Sequence, residues 1–317
     1  MHRIEFSLFA LATATAVSFG TVALADTVPV RPIPRTIDPN LADSIRKAQS
    51  KQRPVLSRVE LRPRDTRSDL GPDNVLRTAT APLNETSVLS AFRLSFANGD
   101  HHVQHVSVMR DGAQARGAIT DNNADDNYSF TASWWNLPGT TSGEISGKMR
   151  DRFARIPAGP PNTTLALTGF QLTVQQDDEV RGLSVNLNSA ERVAQFDLST
   201  TGSGMQDIAY TIQYAWVPNV YIGANRTVTG GGLGENARTA AGATGEVPTD
   251  NRFILRGFHL HFASANGSAQ NLREVAVNMA PGAGTSAREI VSWQDNDRTE
   301  PINWRVDYST LQDPEKK

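Results

Sequence analysis

The chain has 317 residues, with 31 Lys and Arg against 33 Asp and Glu, six histidines and no cysteine. A net charge of −2 leaves no electrostatic footprint for nucleic acid or an anionic bilayer as the main partner. The absence of cysteine excludes disulfides and thiol nucleophiles, so stability must come from packing or bound ions.

Residues 1–25 read as an export signal: His2 and Arg3, an apolar run from Phe6 to Val22, and the small-x-small site Ala23-Leu24-Ala25. Cleavage there leaves Asp26 as the mature N-terminus and places the protein in the periplasm, at the cell surface or outside. The run is broken by Ser, Thr and Gly and followed by polar chain, which argues against an anchor. No later segment is apolar enough to span a bilayer, so the mature chain is expected to lack a transmembrane segment. Residues 26–84 form a basic Pro/Arg-rich arm, expected to be largely irregular apart from a short helix over Asp38–Gln49. A solvated linker accounts for the arm; contact with an anionic envelope polymer is the functional alternative.

Beyond the arm the chain repeats itself. LSAFRLSF (Leu89–Phe96), LTGFQLTV (Leu167–Val174) and LRGFHLHF (Leu255–Phe262) are one pattern, alternating apolar and polar residues as a half-buried strand does. A second strand follows each, with Val106 and Val108 matching Leu183 and Val185, and Val275 and Val277. Third strands follow at ARGAIT, RVAQFDLS and AREIVSW. Aromatic fourth strands begin at Tyr128, Tyr210 and Trp304. The expectation is an all-β protein of three related four-strand units, at 85–140, 160–220 and 251–312, packed as β-sandwich-like domains, with 221–250 a Gly-rich loop. Units of this size cannot bury enough surface alone and must pack on one another or on other protomers. Connections of unequal length argue against a tight pseudo-threefold arrangement.

The candidate ligands lie in and around the turns. DHHVQHVSV brings His101, His102 and His105 together, enough for two ligands of a zinc site with Asp100 a third, although the other two units lack imidazole there. A polar strand start explains the stretch equally. Asp121, Asn123 and Asp125 alternate as in a calcium loop, and Asp295-Asn296-Asp297 falls at the matching place in the third unit. The loop lacks the sixth-position glycine, and Ala132 stands where a twelfth-position glutamate belongs; turn chemistry also demands Asp and Asn. Calcium is the one cofactor the pattern suggests.

For catalysis the chain offers no G-x-S-x-G, and its S-x-x-K match, Ser44 to Lys47, lies in the arm. All five tryptophans, Trp134, Trp135, Trp216, Trp293 and Trp304, are assigned to the fourth strands. Adjacent Trp134 and Trp135 must face opposite ways, so one is expected at the surface or an interface. An exposed indole beside Asp and Asn is a sugar-stacking arrangement; core filling is the alternative.

The third unit, through QNLREVAVNM, IVSWQDNDR and INWRVDYS (Gln270–Tyr308), resembles the H-type lectin domain. The resemblance implies a β-sandwich binding galactose- or N-acetylgalactosamine-type sugars at protomer interfaces of a trimer, hence a homo-oligomer. Trp293, Asp295, Asn296 and Arg273 map onto the family pattern, whereas the first two units lack the Trp-x-Asp turn. The expected function is therefore an exported, non-catalytic binding protein, recognising glycan or another surface polymer through multivalent repeats. A structural or self-assembling surface component is the second reading, and a metal- or carboxylate-dependent hydrolase the third.

Overall fold

The computed structural model describes residues 57–60, 76–78, 83–96, 103–120, 128–175, 180–200, 207–233, 243–263, 272–279, 290–294 and 301–314. The expected export signal and the Asp38–Gln49 helix lie outside them. Residues 54–317 form one compact unit, distinct from residues 1–53. Among the described residues the structure is all-β, and no helix is long and apolar enough to cross a membrane.

Two short strands, β1 (Ser57–Glu60) and β2 (Leu76–Thr78), precede the first unit of β3 (Ser87–Phe96), β4 (His105–Asp111), β5 (Gln114–Thr120) and β6 (Tyr128–Asn136). After β7 (Thr141–Met149) and β8 (Phe153–Arg155) comes the second unit: β9 (Thr163–Thr173), β10 (Val180–Asn188), β11 (Val193–Thr200) and β12 (Ile208–Pro218). Then follow β13 (Ile222–Leu233) and β14 (Thr244–Gly245). The third unit comprises β15 (Phe253–Phe262), β16 (Glu274–Val277), β17 (Val291–Gln294) and β18 (Pro301–Leu311).

Three antiparallel sheets pack in a sandwich-like arrangement, but they do not coincide with the three units. Their orders are β1-β6-β3-β16-β17, β2-β5-β4-β9-β12-β7 and β14-β13-β18-β15-β10-β11-β8. Each sheet therefore joins the first and fourth strands of one unit to the second and third strands of another. The exchange is cyclic: the second strand of unit one pairs with unit two, that of unit two with unit three, and that of unit three with unit one. Register is preserved throughout, since Phe92 faces Val277, Phe170 faces Val108 and Phe258 faces Val185. The repeats are thus interlocked about a pseudo-threefold axis, and the unequal connections do not prevent it.

The axis is lined by the repeat phenylalanines. Phe92, Phe170 and Phe258 are buried, with ring centroids 5.2–5.4 Å apart in tilted or edge-on contacts. Such geometry places ring edges against ring faces and adds to the gain from burial. The repeat leucines Leu89, Leu167 and Leu255 join the same core although they stand three residues before their phenylalanines. In a regular strand that spacing would put them on opposite faces. A β-bulge at the intervening position of all three units, at Ser90, Thr168 and Arg256, restores the phase. The preceding residues Val88, Ala166 and Ile254 consequently point the other way, into a second, smaller apolar cluster. Because the starts of all three first strands meet there, the three units run in the same direction along the axis.

Several expectations are corrected here. Residues 222–233, within the expected Gly-rich loop, form a twelve-residue strand, β13, paired along β18. Its glycines make room: a Cβ at Gly230 would lie 2.3 Å from Trp304 Cζ2. Likewise β7 pairs along β12, and Gly143 lies beneath the Tyr214 ring. β7 and β13 are a fifth strand of the repeat, each leaving the fourth strand of its own unit to flank the fourth strand of the next. No described strand follows β18; β1, from within the expected irregular arm, takes the equivalent place beside β6.

Candidate functional site

The turn residues singled out from the sequence fall in the chain between strands of the repeat. His101 and His102 belong to the β3–β4 connection, Asp121, Asn123 and Asp125 to the β5–β6 connection, and Asp295 and Asn296 to the β17–β18 connection. All of these positions lie outside the described residues. The strands that flank them end opposite the cluster holding Val88, Ala166 and Ile254, so the corresponding connections of the three units leave the sheets at a common end. Among the described residues no three His, Asp or Glu side chains are grouped to hold a metal ion.

His105 opens β4, on the outward side of its sheet. Its Nδ1 lies 2.8 Å from Thr173 Oγ1 and its Nε2 3.1 Å from Ser107 Oγ. Burial of the ring, aided by the charge of Arg116, lowers its pKa to about 4. A neutral imidazole donates from one nitrogen and accepts at the other, so both ring nitrogens of His105 are engaged by hydroxyls of its own sheet.

The tryptophans are also committed. Trp134 and Trp135 do point to opposite faces of β6, but neither reaches solvent, with relative exposures of 0% and 7%. Trp134 lies in the main core and donates from Nε1 to the carbonyl of Thr168 at 3.1 Å, an oxygen of the bulge in the second unit. Trp135 enters the smaller cluster and donates to the carbonyl of Asn251. Both sides of β6 are covered because sheets interlock on one and strand starts converge on the other. Trp293 belongs to a third strand, β17, not a fourth; it faces Val275 as Ile119 faces Val106 and Leu198 faces Leu183. It is buried against Phe262. Arg273 sits half-buried immediately before β16. These residues therefore offer no exposed stacking platform.

Two exposed polar features went unrecognised in the sequence. The first is an open cleft of about 510 Å³ beside β7, lined by Glu85, Arg110, Ser142, Glu144 and Gln213. Gln213 bonds in both directions with the Arg110 backbone and donates to Glu144 Oε2 at 3.1 Å. The second is the outer face of the seven-stranded sheet. There Asp307, only 4% exposed, accepts from Asn186, Thr227 and Arg305, while Asp197 is paired with Arg152. The signal in the sequence was the polar half of each alternation, SVN in β10, HLH in β15 and RVD in β18, whose partners only the register brings together.

Comparison with known proteins finds no matching family model and no similar curated protein.

Proposed function

We propose that the protein is an exported, non-catalytic binding protein that recognises glycan or another surface polymer through three related units held in one molecule. The observation that carries this reading is the cyclic interlocking of the units, which brings equivalent strand ends of all three to one end of the body. Weak sites held at fixed spacing on one rigid body gain by simultaneous engagement with a repetitive ligand. The arrangement is also what the H-type lectin resemblance asks for, with three units about an axis and seams between them, here supplied by a single chain. The Asp- and Asn-bearing connections are the proposed contacts, with calcium as their proposed ion, and the buried tryptophans play no part.

The test is a glycan-array screen of the chain from Asp26, run in calcium and again in EDTA. Binding that EDTA abolishes supports ion-dependent sites in the Asp121–Asp125 and Asp295–Asn296 connections. Binding indifferent to EDTA keeps the reading without the ion, and silence across a broad array in both conditions overturns it.

A second reading, a self-assembling surface component, is favoured by β7. This nine-residue strand closes its sheet with one edge unpaired among the described residues, and all nine of its residues are exposed or half-buried. Open edges of that length template pairing with another chain. A monodisperse monomer at high concentration would remove this alternative.

A further inference from the structure

We infer that the outer face of the seven-stranded sheet is a binding surface for an anionic polysaccharide, recognised by the guanidinium groups of Arg181 and Arg256 set around two parallel imidazoles. The inference narrows the proposed glycan reading to a class of ligand and places it on a face of its own.

Register builds the surface. Across one row Thr229, Arg305, His259, Ser184 and Asp197 lie side by side on neighbouring strands. The next row runs through Asn303, His261 and Gly182 to Ser199. His259 and His261 stand on alternate positions of β15 with ring centroids 6.0 Å apart and planes within 7° of parallel. A row in the other direction ends at Phe153 on β8, opposite Gln195, where a ring 46% exposed stands at the margin of the polar field. A broad polar sheet face with an aromatic at its edge suits an extended sugar chain, whose hydroxyls bond laterally while an apolar ring face stacks.

Charge bookkeeping selects an anionic ligand. Both carboxylates of the face are taken, Asp307 by Arg305, Asn186 and Thr227, and Asp197 by Arg152. The donors are in surplus. Arg256 occupies the repeat bulge, where it feels the charge of Asp307 but makes no hydrogen bond through its buried Nε. Arg181 occupies a second bulge, in β10, close enough to His261 to disfavour its protonation. Neither imidazole makes a hydrogen bond within the protein among the described residues. Partial burial, with His261 and Arg305 beside it, lowers the pKa of His259. Burial and Arg181 lower that of His261 against the opposing pull of Asp197. An arriving carboxylate or sulfate reverses this balance: it pairs with the Arg181 and Arg256 guanidinium groups and favours imidazolium on both rings. Binding should therefore strengthen as pH falls.

The test uses the full chain from Asp26 in affinity electrophoresis through gels containing polygalacturonate, dextran sulfate or neutral dextran. Expected is retardation by an acidic polymer, stronger at about pH 5 than at about pH 8, and none by dextran. Retardation by dextran sulfate alone assigns the anion as sulfate, and by polygalacturonate as carboxylate. The pair His259→Gln and His261→Gln should flatten the pH dependence. Arg181→Gln with Arg256→Gln should weaken binding about tenfold or more. Should the Arg256 change disturb the bulge, as a thermal melt would show, Arg181→Gln alone carries the comparison. Undiminished binding by the folded variants would place the site elsewhere and overturn the inference. So would a wild-type chain that ignores both acidic polymers yet binds neutral glycans on an array, a result that leaves the wider glycan reading intact.

Discussion

Phe258 shows how much a single position carries. It is 1% exposed, touches the rings of Phe92 and Phe170, and faces Val185 and Val306 on neighbouring strands. Truncating it to alanine opens a cavity on the axis shared by all three units, and chemical denaturation should report a loss of about 3–5 kcal/mol. A loss well under about 1 kcal/mol would contradict the axial packing. His105 makes a different demand. Its folded pKa of about 4 lies below the ordinary 6.5, so the unfolded chain binds the proton more tightly. Its contribution is complete above the ordinary value and is lost as pH falls from there towards 4, on the order of 3 kcal/mol in all. His105→Gln should flatten that limb of the stability–pH profile, measured by denaturant midpoints across the range; an unchanged limb would assign the dependence to other groups.

Among the elements, the fifth strands depend on glycine. Gly230→Ala should destabilise by roughly 1–3 kcal/mol, because the added methyl falls on the Trp304 indole and the ring has core on its other side. A thermal shift of zero would mean that β13 does not lie under that ring. These strands also mark where sequence reading stopped. The first strands of the repeat were legible because alternation places Phe and Leu on one face, and the matches of Val106, Leu183 and Val275 hold in the register. β13 was hidden because its glycines read as a turn run, when their lack of side chain is what lets an aromatic neighbour lie flat. The fourth strand of unit one was read two residues out of phase: Phe130, not Tyr128, is opposite Leu94 as Tyr210 is opposite Leu172 and Trp304 opposite Leu260. A slip of two keeps every side chain on its face, so the apolar pattern could not reveal it. Trp293 ends the third-strand stretch AREIVSW, and the register keeps it there, so it does not belong with the tryptophans of the fourth strands.

At the scale of the whole molecule the repeats explain one another. A unit taken alone would leave its first strand without the neighbour supplied by another unit, and its second and third strands without a sheet to join. Interlocking solves the burial problem that units of this size face, without disulfides. The candidate site was legible only as residue types. The Asp/Asn turns could be noticed in sequence, whereas the polar face with Arg181, Arg256, His259 and His261 exists only because cross-unit register assembles it.

The central claim is that the three units form one interlocked body and not three domains in series. Differential scanning calorimetry of the chain from Asp26, beside its Phe258→Ala variant, tests it most directly. The account expects a single cooperative transition for the β body, with calorimetric and van't Hoff enthalpies in agreement, displaced as a whole by a lesion that belongs to the third unit alone. Separate transitions, of which only one moves, would contradict it.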